Sequence, residues 1–215
     1  RKYARDLPRD EEGKIIVDIS KPHILEDMDY FRPAALHFKE HGCYTMLRPN
    51  RNPNSEYMKW IMEERRRCWE GMIRPSDGEW VTGYMYWYLN YCPIMLSRRS
   101  ANSNKANRVE DFPDVWEGIY WRFHYLDQAR KNGHHAIELA RRGCSKSYSL
   151  ASMMSHNFVL GENEEARKRT TTVLTAYQNQ YLSVGKDGTL SKFVPMIDFV
   201  AEHTQFPKLR LKDSP

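Results

Sequence analysis

The 215-residue chain predicts an α/β fold, with a mainly helical region over residues 1–100 and the start of a parallel sheet with crossover helices over residues 101–215. Three observations predict it. Ser55 and Thr82 each stand directly before a run with apolar residues at helical spacing, and Gly71 and Pro93 close those runs. Beyond residue 110 the pattern becomes helix, strand, loop, helix, strand, helix, the alternation of a parallel sheet. Between the first of those strands and its helix lies a loop of small residues ending in Lys146-Ser147, a composition suited to binding phosphate.

The elements follow in order. Residues 1–20 are polar, with a short strand expected at Gly13-Lys14-Ile15-Ile16-Val17. Residues 23–42 carry a helical pattern around Met28, Phe31, Ala35, Leu36 and Phe38. The Pro/Asn-rich stretch Arg48–Asn54 is a loop, and Ser55 then caps a helix over 56–70. That helix sets Tyr57, Trp60, Ile61 and Cys68 against a charged face, Glu63–Arg67. Ser76-Asp77-Gly78 is a turn. Thr82 opens Gly83–Tyr91, whose Tyr84, Trp87, Tyr88 and Tyr91 stripe reads as core rather than as a stacking platform for bases. The polar segment 97–110 reads as a linker, with the domain boundary in it.

A long amphipathic helix is expected over Phe112–Asn132, with Pro113 in its first turn, Val115, Ile119, Phe123 and Leu126 inside, and Gly133 at its end. His135–Ala140 reads as a strand, Arg141–Ser145 as a loop and Lys146–Leu160 as a helix closed by Gly161. The β-branched run Thr170–Leu174 reads as a second strand, before helices at 179–184 and 189–202.

Composition narrows the function classes. Hydrophobic residues at 40% and charged residues at 28% fit a globular chain with a core. No apolar run approaches the ~18 residues of a membrane span, and no secretory leader is visible. The four cysteines form no C-x-x-C pair, which argues against a zinc ribbon or disulfide scaffold and for a reducing, intracellular setting. The net charge of +5 is compatible with a polyanionic partner and equally with a solvated basic surface. The chain begins at Arg1 and ends on Leu211-Lys212-Asp213-Ser214-Pro215, which reads as a piece of a longer polypeptide.

The chemistry concentrates at Ala140-Arg141-Arg142-Gly143-Cys144-Ser145-Lys146-Ser147. Binding the phosphates of ATP requires backbone amides converging on an anion, a lysine for the outer phosphates and a hydroxyl for Mg²⁺. The usual pattern is G-x-x-x-x-G-K-[ST]. Here the Lys-Ser pair stands, while Ala140 and Ser145 replace the flanking glycines. Ser145 tolerates a positive φ less readily than glycine, so Gly143 takes up part of that role. The other reading of the segment is an ordinary basic turn into a helix.

The surrounding residues resemble a known family. Residues 112–155, with Asp114–Trp121 (D-V-W-E-G-I-Y-W) and Gly133–Ser155 around the loop, resemble the ATPase domain of tailed-phage large terminases. Glu63–Gly71 (E-E-R-R-R-C-W-E-G) and Val81–Ile94 (V-T-G-Y-M-Y-W-Y-L-N-Y-C-P-I) resemble their N-terminal region, so the likeness covers residues 45–205. It implies a P-loop NTPase sheet of the ASCE type, ATP and Mg²⁺ as cofactors, and hydrolysis coupled to moving double-stranded DNA into a procapsid. Expected partners are double-stranded DNA, further terminase subunits in a ring, the portal protein and the small terminase, in the host cytoplasm and away from membranes. Lys146 would bind the β- and γ-phosphates, Ser147 would ligate Mg²⁺, and Gly143, Cys144 and Ser145 would offer amides. Arg142, four residues before the lysine, would act on the γ-phosphate, with Arg141 as the alternative. Tyr148, and Trp116 and Tyr120 upstream, complete the expected nucleotide contacts.

Hydrolysis also needs a hydrophobic strand ending in Asp-Glu. Met196-Ile197-Asp198-Phe199 fails this role, since it follows Pro195 in a helical pattern and lacks the Glu. The resemblance places that motif, and the nuclease carboxylates, beyond Pro215, so the chain alone is expected to hydrolyse ATP poorly. Two other classes stay open: another P-loop enzyme such as a kinase, and a non-catalytic assembly or DNA-binding module with a degenerate loop. His37-Phe38-Lys39-Glu40-His41 matches the inverted zinc-protease motif, with Glu63 or Glu64 as conceivable third ligands, but two histidines on a solvated helix face are far commoner. Arg65–Arg67 and Arg98-Arg99 read as solvated charge before DNA contacts.

Overall fold

The structure is a computed structural model that describes residues 31–73, 80–99, 106–141, 143–161, 173–183 and 188–206, together with Glu11 and Gly185. The expected strand at 13–17, the turn at 76–78, Arg142, the loop at 162–168 and Thr170–Thr172 lie outside the described residues.

Helix α1 (Pro33–His41) starts on proline, which has no amide to leave unpaired, and ends at Gly42 in the left-handed region, its N–H returned to Phe38 O. Helix α2 (Glu56–Glu70) begins as expected: the Ser55 hydroxyl accepts from the Met58 N–H at 3.2 Å. Its outer face is a ladder of ion pairs joining Glu63 to Arg66 and Arg67, and Arg66 to Glu70. A two-residue bridge, β1 (Met72–Ile73) with β2 (Trp80–Val81), leads into α3 (Gly83–Tyr91).

All nine residues of α3 are buried, so it is the central helix around which the others pack. Thr82 caps it by accepting from the Met85 N–H at 3.2 Å. Gly83 is required by close approach: a Cβ there would lie 2.5 Å from the carbonyl oxygens of Cys68 and Trp69. Asn90 is buried in this helix yet fully used. Its Oδ1 accepts from the Ala34 and Ala35 amides, and its Nδ2 donates to the carbonyls of Phe31 and Tyr86. It thereby caps the start of α1, where Arg32 supplies no side-chain cap.

The segment 97–110 differs from expectation. Strands β3 (Ile94–Arg99) and β4 (Ala106–Asp111) form an antiparallel ladder from Ile94↔Asp111 to Arg99↔Ala106. Polar side chains hid it, because the ladder is made by backbone groups and braced by a bidentate Arg98–Asp114 pair at 2.7 and 2.8 Å. Helices from both sides of this hairpin share one core, α3 packing on α5 (Lys146–Leu160) and on α4 (Glu117–Lys131). Helix α4 starts five residues later than expected, at Glu117, because Phe112–Val115 form no helix and Trp116, its N-cap, is extended. Helix α6 (Leu190–His203) packs along α5, after a short 3-10 turn at Asn179–Tyr181.

The parallel sheet is not seen among the described residues, whose strands form two antiparallel pairs. Residues 134–140 form no strand and are largely exposed, with Ile137 91% and Leu139 94% accessible. Val173 and Leu174 form none either. A buried parallel strand exists only through neighbours that take its amides and carbonyls, and neither segment has such a neighbour in the described residues. No helix among them is long and apolar enough to cross a membrane.

Candidate functional site

The loop 140–147 sits where α5 begins, and α5 is placed by its packing on α3. Ser149, Ser152 and Ser155 lie along the buried side of α5, each small enough for close approach, and Trp87 Nε1 of α3 donates to Ser155 Oγ at 2.9 Å. Ser149 sends its hydroxyl back to Ser145 O at 3.1 Å, so the first turn of the helix is held. Beneath that turn lies Tyr88, fully buried, its hydroxyl beside Ser145 and Ser149. Burial holds this phenol above its ordinary pKa, so it stays neutral.

The backbone of the loop alternates in hand. Gly143 has φ 85° and Ser145 has φ 55°, and Ser145 is the sole non-glycine at positive φ among the described residues, which leaves Cys144 between them at negative φ. Alternation of this kind turns successive N–H groups toward one point and makes an anion-binding concavity. A Cβ at Gly143 would meet nothing within 4 Å, so the glycine there answers to backbone conformation alone. The Lys146 ammonium folds back over the loop, donating to the carbonyls of Ala140 at 2.5 Å and Arg141 at 2.7 Å. Ser147 is exposed in the first turn of α5.

This loop lines one side of an open cleft of about 600 Å³. The other side is β3, from Ile94 to Ser97, and Lys192 of α6, whose ammonium lies 5.6 Å from the centre of the Tyr148 ring. The volume falls within the ~300–1,000 Å³ range of small-molecule sites. The cleft brings together Gly143, Cys144, Ser145, Lys146, Ser147 and Tyr148. It does not bring in the two aromatics expected from α4. Tyr120 is buried in the core at 1% exposure and cannot reach a ligand, while Trp116 stands at the start of α4 with Arg122 over its ring. Arg141 is exposed and contributes a carbonyl to Lys146.

Several residues at the site carried no sequence signal. Lys192 reaches it through tertiary packing, and Ile94–Ser97 through the unpredicted hairpin. Arg122 is buried within the apolar stripe of α4, where it donates to Glu138 at 2.7 Å and Ser149 at 2.9 Å.

The zinc motif does not assemble. His37 and His41 share a face, ring centres 4.4 Å apart, but His37 Nδ1 is bonded to the Cys43 carbonyl. Glu63 is paired with two arginines, Glu64 is buried against Tyr86 and Tyr91, and no metal-capable group of three occurs among the described residues. Asp198 lies mid-helix in α6. No protein-family model matches the chain, and no curated protein or solved structure matches it.

Proposed function

We propose that this chain carries the phosphate-binding half of an ATPase site, built on residues 140–147, and that it is part of a DNA-packaging motor of the large-terminase kind. The observation that supports the reading is the Lys146 ammonium, bonded to the Ala140 and Arg141 carbonyls over a loop of alternating hand at the start of a fifteen-residue helix. A cation held there, with amides and a helix N-terminus around it, suits a polyphosphate.

The residues fit phosphate more fully than they fit a metal. The amides of Gly143, Cys144 and Ser145 and the Lys146 ammonium would address the anion, whereas among the described residues no carboxylate lines the cleft and the Ser147 hydroxyl is the proposed Mg²⁺ ligand. The cation would therefore enter on the triphosphate, keeping most of its water. Arg141 and Arg142 are the proposed γ-phosphate cations, Tyr148 faces the ligand from the first turn of α5, and Lys192 faces it from the far wall. The terminase assignment rests on the sequence resemblance, and with it come double-stranded DNA, a ring of subunits, the portal protein, the small terminase and the host cytoplasm.

Calorimetric titration of MgATP into the wild-type chain and into Lys146→Ala tests the core of this reading. Wild type is expected to bind saturably and the variant at least about tenfold more weakly, a loss of ~1.4 kcal/mol. Equal binding by the two proteins, or none by either, defeats it and favours an assembly module with a degenerate loop.

A further inference from the structure

We infer that Arg122 is a positioning residue for the phosphate-binding loop, tying the chain that enters the loop to the helix that leaves it. The inference rests on the phosphate-site reading above. Arg122 lies on α4, outside the loop and outside the cleft, and its side chain is 4% exposed. A guanidinium so buried is costly unless its donors are matched. Its Nε donates to Glu138 Oε1 at 2.7 Å, and a terminal nitrogen donates to Ser149 Oγ at 2.9 Å. Glu138 precedes the loop and Ser149 follows it, so every loop residue proposed to face phosphate lies between the two anchors.

The two anchors do different work. Ser149 accepts from Arg122 and donates its own hydrogen bond to the carbonyl of Ser145, the residue whose left-handed backbone turns the amides inward. Glu138 sits in a stretch without regular secondary structure where Ile137 and Leu139 are both more than nine-tenths exposed, so packing of those neighbours does not hold the entering chain. The ion pair supplies that hold. The Trp116 ring, 5.9 Å from the guanidinium carbon, covers the remaining face. The arginine fork presents its Nε and a terminal nitrogen at fixed spacing to two partners on separate segments, a geometry that the compact ammonium of a lysine does not reproduce.

The test titrates MgATP and Mg-tripolyphosphate into wild type, Lys146→Ala, Arg122→Lys, Arg122→Gln, Glu138→Gln and Ser149→Ala, with the thermal midpoint recorded for each. Arg122→Lys and Glu138→Gln are expected to weaken both ligands by about tenfold, equally for the one without adenosine. Glu138→Gln keeps an acceptor oxygen for Arg122 but removes its counter-charge, so some fall in the midpoint is expected, and positioning is separated from general stability by a loss of affinity that persists well below the midpoint of each variant. The double variant Arg122→Lys/Glu138→Gln is expected to bind no more weakly than either single one. Wild-type affinity in Glu138→Gln overturns the inference while leaving the phosphate site intact. Failure of wild type to bind, or no loss in Lys146→Ala, overturns the phosphate site and the inference with it. Should the Arg122 variants not fold, Glu138→Gln and Ser149→Ala decide the matter by the same criteria.

Discussion

The Lys146 ammonium donates to the Ala140 carbonyl at 2.5 Å, so the residue that begins α5 closes the loop on the residue that opens it. Two of its three N–H donors rest on backbone carbonyls, and on the reading proposed above these are the bonds with which an incoming phosphate would compete. A charged phosphate oxygen is a stronger acceptor than a carbonyl, which favours the exchange.

The first prediction follows from that exchange. At a ligand concentration one hundred times Kd, MgATP should stabilise the folded chain by about 2.7 kcal/mol and raise its thermal midpoint accordingly. Lys146→Met should abolish the shift while leaving the ligand-free midpoint nearly unchanged, because the lost bonds are to carbonyls that water can serve. Differential scanning calorimetry with and without MgATP reads both. A shift that persists in the variant removes Lys146 from the site.

Ser145 supplies the second prediction. Its φ of 55° and ψ of 18° place an L-residue in the left-handed region, at a cost of ~1–2 kcal/mol over the right-handed one. Ser145→Gly removes that strain and adds unfolded-state entropy, for a net gain of up to about 1 kcal/mol. Ser145→Val, β-branched, should lose stability, since such residues adopt positive φ least readily. Urea midpoints should rank glycine, serine, valine in falling order, and a valine variant as stable as wild type contradicts the strained pivot.

Helix ends were legible in the chain because capping is local chemistry. Ser55 with Gly71, Thr82 with Pro93, and Lys146 with Gly161 each mark an observed helix. What depends on distant partners was not legible. Asn90 looks like one polar residue in an aromatic run, yet it caps α1 some 55 residues upstream. Arg122 looks like a surface charge, yet three segments converge on it. The strand expected at 135–140 finds no partner among the described residues, and a strand exists only by pairing. The candidate site divides along the same line: the loop, its lysine and its helix were readable, and the cleft wall from β3 and α6 was not.

Glu64 gives the third prediction. Its carboxylate is 3% exposed and accepts from the Tyr86 hydroxyl at 2.5 Å and the Tyr91 hydroxyl at 2.8 Å on the same oxygen. Burial, with the Glu64 charge beside them, holds both phenols well above their ordinary pKa, so both remain donors. Glu64→Ala leaves two buried hydroxyls unpaired and should cost about 3 kcal/mol or more. Glu64→Gln keeps an acceptor oxygen in place and should cost less than half as much. Equal costs in guanidinium unfolding would mean that the charge, not the acceptor, matters at this position.

His156 sets the dependence of stability on pH. It is buried between α5 and α2, bonded through Nε2 to the Cys68 carbonyl at 2.7 Å and stacked on Trp69. Burial pushes its pKa down from 6.5 to about 4, the Cys68 bond opposing the shift without cancelling it. Above about pH 6.5 the imidazole is neutral in both states and its contribution is complete. As pH falls from there toward 4, the unfolded chain takes up a proton that the folded chain refuses, so stability declines, by about 3 kcal/mol in all. Burial lowers the His124 pKa in the same direction, so it adds to the slope in the same region. Glu63, pulled down to about 2 by Arg66, acts only at lower pH, below the ordinary carboxylate value. His156→Gln, which can still donate to Cys68 but does not titrate, should therefore flatten the fall between pH 6.5 and 5 without removing it, while both proteins steepen again below pH 4.5. Urea unfolding at pH 7.5, 6.5, 5.5 and 4.5 measures this, and parallel curves for the two proteins would show that His156 accepts its proton in the folded chain as readily as in the unfolded one.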